Sequence, residues 1–222
     1  AQALELAASP QLRNMATLGG NVLQRTRCTY FRDTGWRACN KREPGSGCAA
    51  LDGVNRKHAV LGVSDKCIAS YPGDFAQALV ALDAVAETAG PAGRRSLPVE
   101  ALHREPGDTP HIETVLMPGE VILGFRLPVA AWTRRSLYLK IRDRQSYEFA
   151  LASAAVALDL VDGTVNAARI ALGGVATKPW RAREAEAVLN GSKIDEAVAG
   201  HAADAAFAGA RSRDGNRYRS EL

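Results

Sequence analysis

The 222-residue sequence has no apolar run close to the ~20 residues that a membrane-spanning helix needs. Its longest apolar stretch, residues 149–161, contains Ser153 and Asp159 and is typical of a buried helix or strand. No dense stripe of Lys and Arg accompanies the net charge of +4, which argues against a nucleic-acid-binding surface. We therefore expect a globular protein with no nucleic-acid partner and no membrane insertion.

Three short signatures are also missing. No C-x2-C pair of the kind found in zinc ribbons or thioredoxins occurs, and no G-x-G-x-x-G follows a predicted strand, so a nicotinamide site is not indicated. No basic start followed by an apolar run opens the given sequence, so no signal peptide is visible. Two locations remain as alternatives: the cytoplasm, and the periplasm, which the chain would reach by co-export with a partner subunit.

Cysteine is scarce and localised. The only four, Cys28, Cys39, Cys48 and Cys67, lie within 40 consecutive residues. Residues 26–57 have no periodic hydrophobic pattern, and a long irregular stretch inside a compact domain needs a physical reason. Four thiolates on one metal centre would replace the missing apolar core. The spacing leaves three alternatives open, namely two disulfides, a zinc site and an iron–sulfur cluster. His58 is an alternative ligand or a plain solvated side chain.

The remaining patterns predict helices and antiparallel strands. We expect a helix over residues 1–9, a turn at SYPGD with Asp74 capping an apolar helix, and strands near residues 84–88 and 117–128. After a link at 129–136, one strand and a hairpin turning at Asp162-Gly163 predict a three-stranded sheet. Helices over 177–191 and 192–210 follow. The predicted domains are residues 1–130 and 134–222.

The Gly19-Gly20 pair interrupts the apolar segment QLRNMATLGGNVLQ. Two glycines allow positive φ and close approach of the backbone to a ligand, and exposed N–H groups in such a turn can bind phosphate. An ordinary tight turn is the alternative.

Taken in order, NMATLGGN, YPGD, GEVILGFRLP, YLKIRDRQSYEFALASAAVAL and GGVATKPWRA resemble the FAD-binding medium subunit of the xanthine dehydrogenase / molybdenum hydroxylase family. The resemblance implies an α+β fold: the C-terminal part of a PCMH-type FAD-binding domain with a cysteine-rich insertion at 26–68, followed by a three-stranded antiparallel sheet packed on helices. The family's first Gly-rich flavin loop has no counterpart here, so we expect the sequence to be a fragment.

The segment CNKREPGSGCAALDGVNRKHAVLG resembles the insertion of periplasmic aldehyde oxidoreductase flavin subunits and of 4-hydroxybenzoyl-CoA reductase. This implies a [4Fe-4S] cluster on Cys28, Cys39, Cys48 and Cys67. The resemblance also implies FAD contacts from Ala16, Thr17, Gly19, Gly20, Asn21, Asp74, Ile122 and Lys140. If the resemblance is set aside, the sequence predicts that Asp74 is a plain N-cap, that Ile122 is a core residue and that Lys140 forms a surface salt bridge.

The implied function is electron transfer inside a heterotrimer. A large molybdenum-cofactor subunit oxidises the substrate, a small subunit with two [2Fe-2S] clusters relays electrons, and the flavin subunit passes them to an acceptor such as ferredoxin. No catalytic residue is assigned to this chain. Two alternatives remain: a zinc-stabilised structural or interaction module of a flavoprotein, and a flavin enzyme that oxidises a small substrate directly.

Overall fold

Two antiparallel sheets form the framework of the chain, which a computed structural model describes over all 222 residues. The first sheet has the order β2-β1-β3, with β1 (Val85–Gly90), β2 (Gly93–Pro98) and β3 (Val121–Arg126). The second has the order β4-β5-β6-β7, with β4 (Ser136–Ile141), β5 (Ala152–Val161), β6 (Thr164–Gly173) and β7 (Trp180–Arg181). The predicted α+β class with antiparallel sheets is confirmed.

Seven α-helices accompany these sheets. They are α1 (Gln2–Glu5), α2 (Pro10–Met15), α3 (Leu18–Val22), α4 (Thr29–Arg32), α5 (Phe75–Ala81), α6 (Arg183–Leu189) and α7 (Glu196–Ala206). Short 3-10 turns occur at Val99–Ala101, Ala131–Arg134 and Arg217–Ser220. None of the helices has the length and apolar character that crossing a lipid bilayer requires.

The hairpin of β5 and β6 turns where the sequence predicts it. Asp162 and Gly163 both have positive φ, at 49° and 79°, which matches the twist of the flanking strands. The second sheet has one strand more than predicted. Trp180 and Arg181 pair with β6 in place of starting a helix, and α6 begins only at Arg183. The buried Arg181 guanidinium binds Asp83, which follows α5, and Glu186 of α6, so this short strand is anchored to both helices.

The N-terminal helix prediction is wrong in its extent. α1 ends at Glu5, and Ser9-Pro10 starts a second helix, because the Ser9 hydroxyl accepts a hydrogen bond from the Leu12 N–H and proline fits the first helical position. The Gly19-Gly20 pair lies inside α3 without positive φ, so it is neither a tight turn nor a left-handed segment.

Two large apolar cores and one small one hold these elements together. The first surrounds α5 and the first sheet and includes Leu79 and Leu102; the second lies between the second sheet and helices α6 and α7. The third contains only Tyr30, Ala50 and Ile68 and lies in the cysteine segment, residues 26–68. The predicted site residues are therefore divided between a well-packed region and a poorly packed one.

Candidate functional site

Helix α3 and the two residues before it include five of the predicted flavin contacts, Ala16, Thr17, Gly19, Gly20 and Asn21. Thr17 is its N-cap, with Oγ1 accepting a hydrogen bond from the Gly20 N–H at 3.1 Å. A β-carbon on residue 20 would lie 2.9 Å from that oxygen, so glycine makes room for the cap. The N–H groups of the first turn, at Leu18 and Gly19, have no intrahelical acceptor. The Asn21 Oδ1 is buried and has no partner. Both ends of this short helix thus offer polar groups that a ligand would satisfy.

Two aromatic side chains fix the C-terminal end of α3. The Val22 carbonyl accepts hydrogen bonds from Tyr71 Oη at 2.7 Å and from His103 Nε2 at 3.0 Å. A β-carbon on Gly73 would lie 2.5 Å from Tyr71 Oη, so the glycine of YPGD lets this ring reach α3. Burial lowers the pKa of His103 to about 4, so the imidazole is neutral at pH 7. No pattern in the sequence points to His103, and the sequence analysis missed it.

Asp74 and Lys140 form a buried ion pair between the start of α5 and strand β4. Lys140 Nζ donates to Asp74 Oδ2 at 2.8 Å and to the Leu6 carbonyl at 3.0 Å. Tyr138 Oη donates to the other oxygen, Asp74 Oδ1, at 2.7 Å. Tyr138 and Lys140 are two residues apart on β4 and so share a face, which the strand alternation could have indicated.

This pair corrects two simple expectations. Asp74 occupies the N-cap position of α5, but its side chain makes no capping hydrogen bond, because both oxygens are engaged by β4. Lys140 is not in a surface salt bridge, since only 1% of its side chain is exposed. Burial raises the pKa of Asp74, while the Lys140 ammonium and the Tyr138 hydroxyl oppose that rise.

Ile122 lies on β3 beside α3. Its Cβ is 3.5 Å from the position that a β-carbon on Gly19 would occupy, so helix and strand are in van der Waals contact. Ile122 is half-buried and packs against the first core. Helix α5, which starts after Asp74, also packs against α3. The predicted flavin residues therefore fall into two neighbouring groups, one at α3 and one at the Asp74–Lys140 pair, and their role in binding FAD stays a prediction.

The four cysteines converge on one enclosed cavity in the cysteine segment. Cys28 precedes α4, and Cys39 and Cys48 face each other across an isolated antiparallel bridge. These three and Cys67 all line the same cavity, and all four are free thiols. The two-disulfide alternative is therefore not what the structure contains. No three His, Cys, Asp or Glu side chains surround a single-ion position.

The surroundings of the cavity are basic. Residues 25–67 contain nine Lys and Arg against four Asp and Glu, a net +5, whereas the rest of the chain has a net −1. Lys41 and Lys66 line the cavity itself.

Burial raises the pKa of Cys67 to about 11, and the Lys41 charge opposes that rise. Burial also raises the pKa of Cys28. A metal centre would have to displace the protons that burial favours on Cys28 and Cys67.

His58 lies against one of these thiols. Its Nε2 is 3.2 Å from Cys28 Sγ, and the residue is only 4% exposed. The expectation of a solvated loop histidine is therefore wrong. Burial, followed by the nearby Arg219 charge, lowers the pKa of His58 to about 4, although an interaction with the Asn55 backbone opposes the shift.

Polar side chains hold the irregular backbone around the cavity. Asn40 Oδ1 accepts hydrogen bonds from Gly45 N–H at 3.1 Å and from Gly47 N–H at 2.9 Å, while its Nδ2 donates to the Lys66 carbonyl at 3.0 Å. Tyr30 Oη accepts from the Val54 N–H at 2.7 Å. These contacts replace the regular ladders that are missing from the segment.

Residues 1–130 match the FAD binding domain in molybdopterin dehydrogenase, which is more than half of the chain. The chain belongs to this family of FAD-binding domains. Residues 137–222 match the CO dehydrogenase flavoprotein C-terminal domain. Membership supports FAD as the cofactor expected for residues 1–130.

Individual relatives agree with the family. The chain is 54% identical over 190 residues to the aldehyde oxidoreductase FAD-binding subunit PaoB of Escherichia coli (strain K12), covering 85% of this chain and 58% of PaoB. It is 31% identical over 191 residues to the carbon monoxide dehydrogenase medium chain of Afipia carboxidovorans, covering 86% of this chain and 49% of that one. The chain thus spans only about half the length of these relatives.

A solved structure has the same fold. Carbon monoxide dehydrogenase from Hydrogenophaga pseudoflava, in a form that lacks the Mo-pyranopterin moiety of its molybdenum cofactor, superposes with a TM-score of 0.67 at 26% identity. The superposition covers 99% of this chain and 61% of that chain.

Proposed function

We propose that this chain is the FAD- and [4Fe-4S]-binding electron-transfer part of a flavin subunit in a molybdenum-containing aldehyde oxidoreductase of the xanthine dehydrogenase type. Residues 1–130 would bind both cofactors, and residues 134–222 would form the C-terminal domain. The observation that carries the proposal is the convergence of four free cysteines on one cavity, inside a member of the FAD-binding family.

The chemistry of the cavity fits an iron–sulfur cluster. A four-iron cluster takes four thiolates, one on each iron, so the ligand sulfurs stay further apart than around a single ion. Cys28, Cys39, Cys48 and Cys67 supply that number with no carboxylate among the lining residues. Lys41 and Lys66 line the same cavity and would balance the negative charge of thiolates and cluster.

The residues of the first group fit a flavin nucleotide. The hydroxyl of Thr17 and the N–H groups of Leu18 and Gly19 would hold its phosphate or ribityl chain, with Ala16, Gly20 and Asn21 as their neighbours in the chain. The buried, unpartnered Asn21 Oδ1 would accept from a ligand hydroxyl. Ile122, in contact with α3, would pack against the ring system.

The second group, the Asp74–Lys140 pair, would stabilise the negative charge of the reduced flavin. FAD supplies transfer of one or two electrons when bound, and a nearby cation stabilises the reduced, anionic ring. Lys140 would be such a cation, since Asp74 together with the Leu6 carbonyl fixes its ammonium in place. Asp74 would in addition accept a hydrogen bond from a flavin hydroxyl.

The proposed partners follow from the relatives. PaoB is a subunit of an aldehyde oxidoreductase, and it is 54% identical to this chain. We therefore propose a heterotrimer with a large molybdenum-cofactor subunit and a small subunit carrying two [2Fe-2S] clusters. Electrons would leave through this chain to an external acceptor such as ferredoxin, and the aldehyde would be oxidised in the large subunit.

Metal and flavin analysis of the anaerobically purified complex tests the proposal. The complete gene is expressed with its partner genes, and iron, sulfide, zinc and FAD are measured together with the visible spectrum. We expect four iron and four sulfide in addition to those of the small subunit, and about one FAD per flavin subunit.

The variant Cys48→Ser tests whether the additional iron is bound in the cavity lined by the four cysteines. This variant should lose the additional iron and sulfide and keep the FAD, whereas Val54→Ser, at an exposed position of the same segment, should keep all of them. One zinc per subunit in place of the additional iron would contradict the cluster and favour the alternative of a zinc-stabilised module.

A further inference from the structure

We propose that His58 is a positioning residue for the cluster: it donates an N–H···S hydrogen bond to Cys28 and thereby raises the reduction potential of the [4Fe-4S] centre. The inference rests on the proposed function, because it assumes that Cys28 is a ligand. It assigns a role to a side chain that the four-cysteine ligand set does not need.

The geometry selects the tautomer that makes this bond. Nε2 is 3.2 Å from Cys28 Sγ, whereas Nδ1 is buried without a hydrogen-bond partner. A neutral imidazole has a single N–H, on one of its two ring nitrogens. As a cluster ligand, Cys28 would have no S–H to donate, so Nε2 would carry the proton and the sulfur would accept the hydrogen bond.

The imidazole is held in this position by its surroundings. The backbone N–H of His58 donates to the Asn55 carbonyl at 2.9 Å. The neighbouring Ala59 carbonyl accepts from the buried Asn216 Nδ2 at 3.0 Å, which anchors the same stretch of chain to the C-terminal region. Tyr30 lies on one side of the ring, with centroids 6.1 Å apart. A ring fixed in this way keeps its N–H directed at the sulfur in both redox states.

His58 gives one thiol a side-chain donor that the others lack. The other donors to cysteine sulfurs are backbone N–H groups, from Ala69 to Cys67 Sγ at 3.5 Å and from Tyr30 and Phe31 to Cys28. His58 is therefore the only side-chain donor to the proposed ligand set. It lines a cavity of about 240 Å3 that also borders Cys28 and the flavin-motif residues Tyr71 and Pro72. The donor thus lies on the side of Cys28 that faces the flavin motif.

A donor at this sulfur has a defined electrostatic effect. Reduction adds one electron to the cluster and increases the negative charge on its sulfurs. An N–H dipole pointing at a ligand sulfur stabilises that charge more in the reduced state than in the oxidised state, and hydrogen bonds to sulfur are among the factors that set cluster potentials. Removing the donor should make the cluster harder to reduce.

The test is a redox titration of the purified complex, followed by EPR, for three variants. His58→Phe keeps a ring but has no N–H, His58→Gln keeps an N–H donor, and His111→Phe is the control at an exposed histidine with no sulfur contact. Iron and sulfide are measured first. We expect His58→Phe to keep both and to shift the one-electron equilibrium at least tenfold toward the oxidised cluster, a drop of 59 mV. His58→Gln should recover much of the shift, and His111→Phe should match the unmodified protein.

Each other outcome decides against the idea. An unchanged potential in His58→Phe overturns it. Loss of iron from both His58 variants makes His58 a ligand or a structural support, and also overturns it. If His58→Phe loses iron and His58→Gln keeps it, His58→Leu is measured as a second variant without a donor. Loss of iron from His58→Leu also overturns the proposal. Absence of the cluster from the unmodified complex is a different failure, because it removes the proposed function and the inference together.

Discussion

The core around α5 and the cysteine segment differ in how much apolar surface they bury. The α5 core contains fifteen buried apolar residues from helices and both sheets, whereas the core of the cysteine segment contains three. Around α5, hydrophobic burial stabilises the structure and supports the buried Asp74–Lys140 pair. Around the cysteines, side-chain hydrogen bonds hold the backbone in its irregular conformation. Little apolar surface is buried there, so the hydrophobic effect contributes little to the stability of this segment. The first region should fold without its cofactor, and the second should depend on it.

Removing iron from the complex gives the largest expected difference between the two regions. Because ligation replaces an apolar core, chelation should abolish the hydrogen-exchange protection of amides in residues 28–58. Protection in β5 and β6, two paired strands of ten residues each, should stay. Mass spectrometry of exchange before and after iron removal measures both. Equal protection of the cysteine segment in both states would show that hydrogen bonds alone maintain it.

Lys140→Met tests how strongly the α5 region depends on its buried pair. The variant leaves the Asp74 carboxylate buried with only Tyr138 as a partner, so we expect a loss of roughly 3–5 kcal/mol of unfolding free energy. Arg126→Met, at an exposed pair with Glu87 3.8 Å apart, is the matched control and should cost about 1 kcal/mol or less. Urea denaturation measures both.

A double variant separates the unpaired charge from lost packing. Adding Asp74→Asn to Lys140→Met removes the carboxylate charge and should recover part of the lost stability. No recovery would mean that the aliphatic packing of Lys140, and not its charge, is what matters.

The pH dependence of stability should be linked to His103. Its pKa is about 4 in the folded protein against 6.5 for an unperturbed histidine, so between these values the unfolded state binds more protons than the folded state. This contribution to stability is present above pH 6.5 and is lost as the pH falls toward 4, up to about 3 kcal/mol.

His103→Gln isolates this contribution, because a glutamine can still donate to the Val22 carbonyl but does not titrate. Urea denaturation between pH 4 and 7 should give a shallower curve for the variant. Parallel curves would assign the acid sensitivity to other groups, such as His58, whose pKa is also lowered by burial.

Thr17→Ala should have the smallest effect. It removes the hydrogen bond from the Gly20 N–H to Thr17 Oγ1 and should cost about 1 kcal/mol, whereas Thr17→Ser keeps the oxygen and should be close to neutral. Urea denaturation checks the stability. FAD content of the purified complex checks whether the cap also shapes the flavin site, since a five-residue helix with a lost cap would present its N–H groups less well.

Local patterns predicted most elements of the second sheet and few details of the cysteine segment. Alternating apolar residues and the Asp162-Gly163 turn predicted β5 and β6 correctly, because pleating and turn dihedrals depend on neighbouring residues. β7 was missed because a two-residue strand has no period and exists only through its pairing with β6. The cysteine segment has no period at all, so only its composition was informative.

By itself, the sequence determined that one segment contains every cysteine, that ordered motifs of a flavin-binding family flank that segment, and that the fold combines helices with antiparallel strands. Only the tertiary structure decided which groups meet. Asp74 pairs with Lys140 across 66 positions, and His58 contacts Cys28 across 30. Such contacts depend on how cores pack distant segments together, and packing is a property of the whole chain that no local spacing encodes.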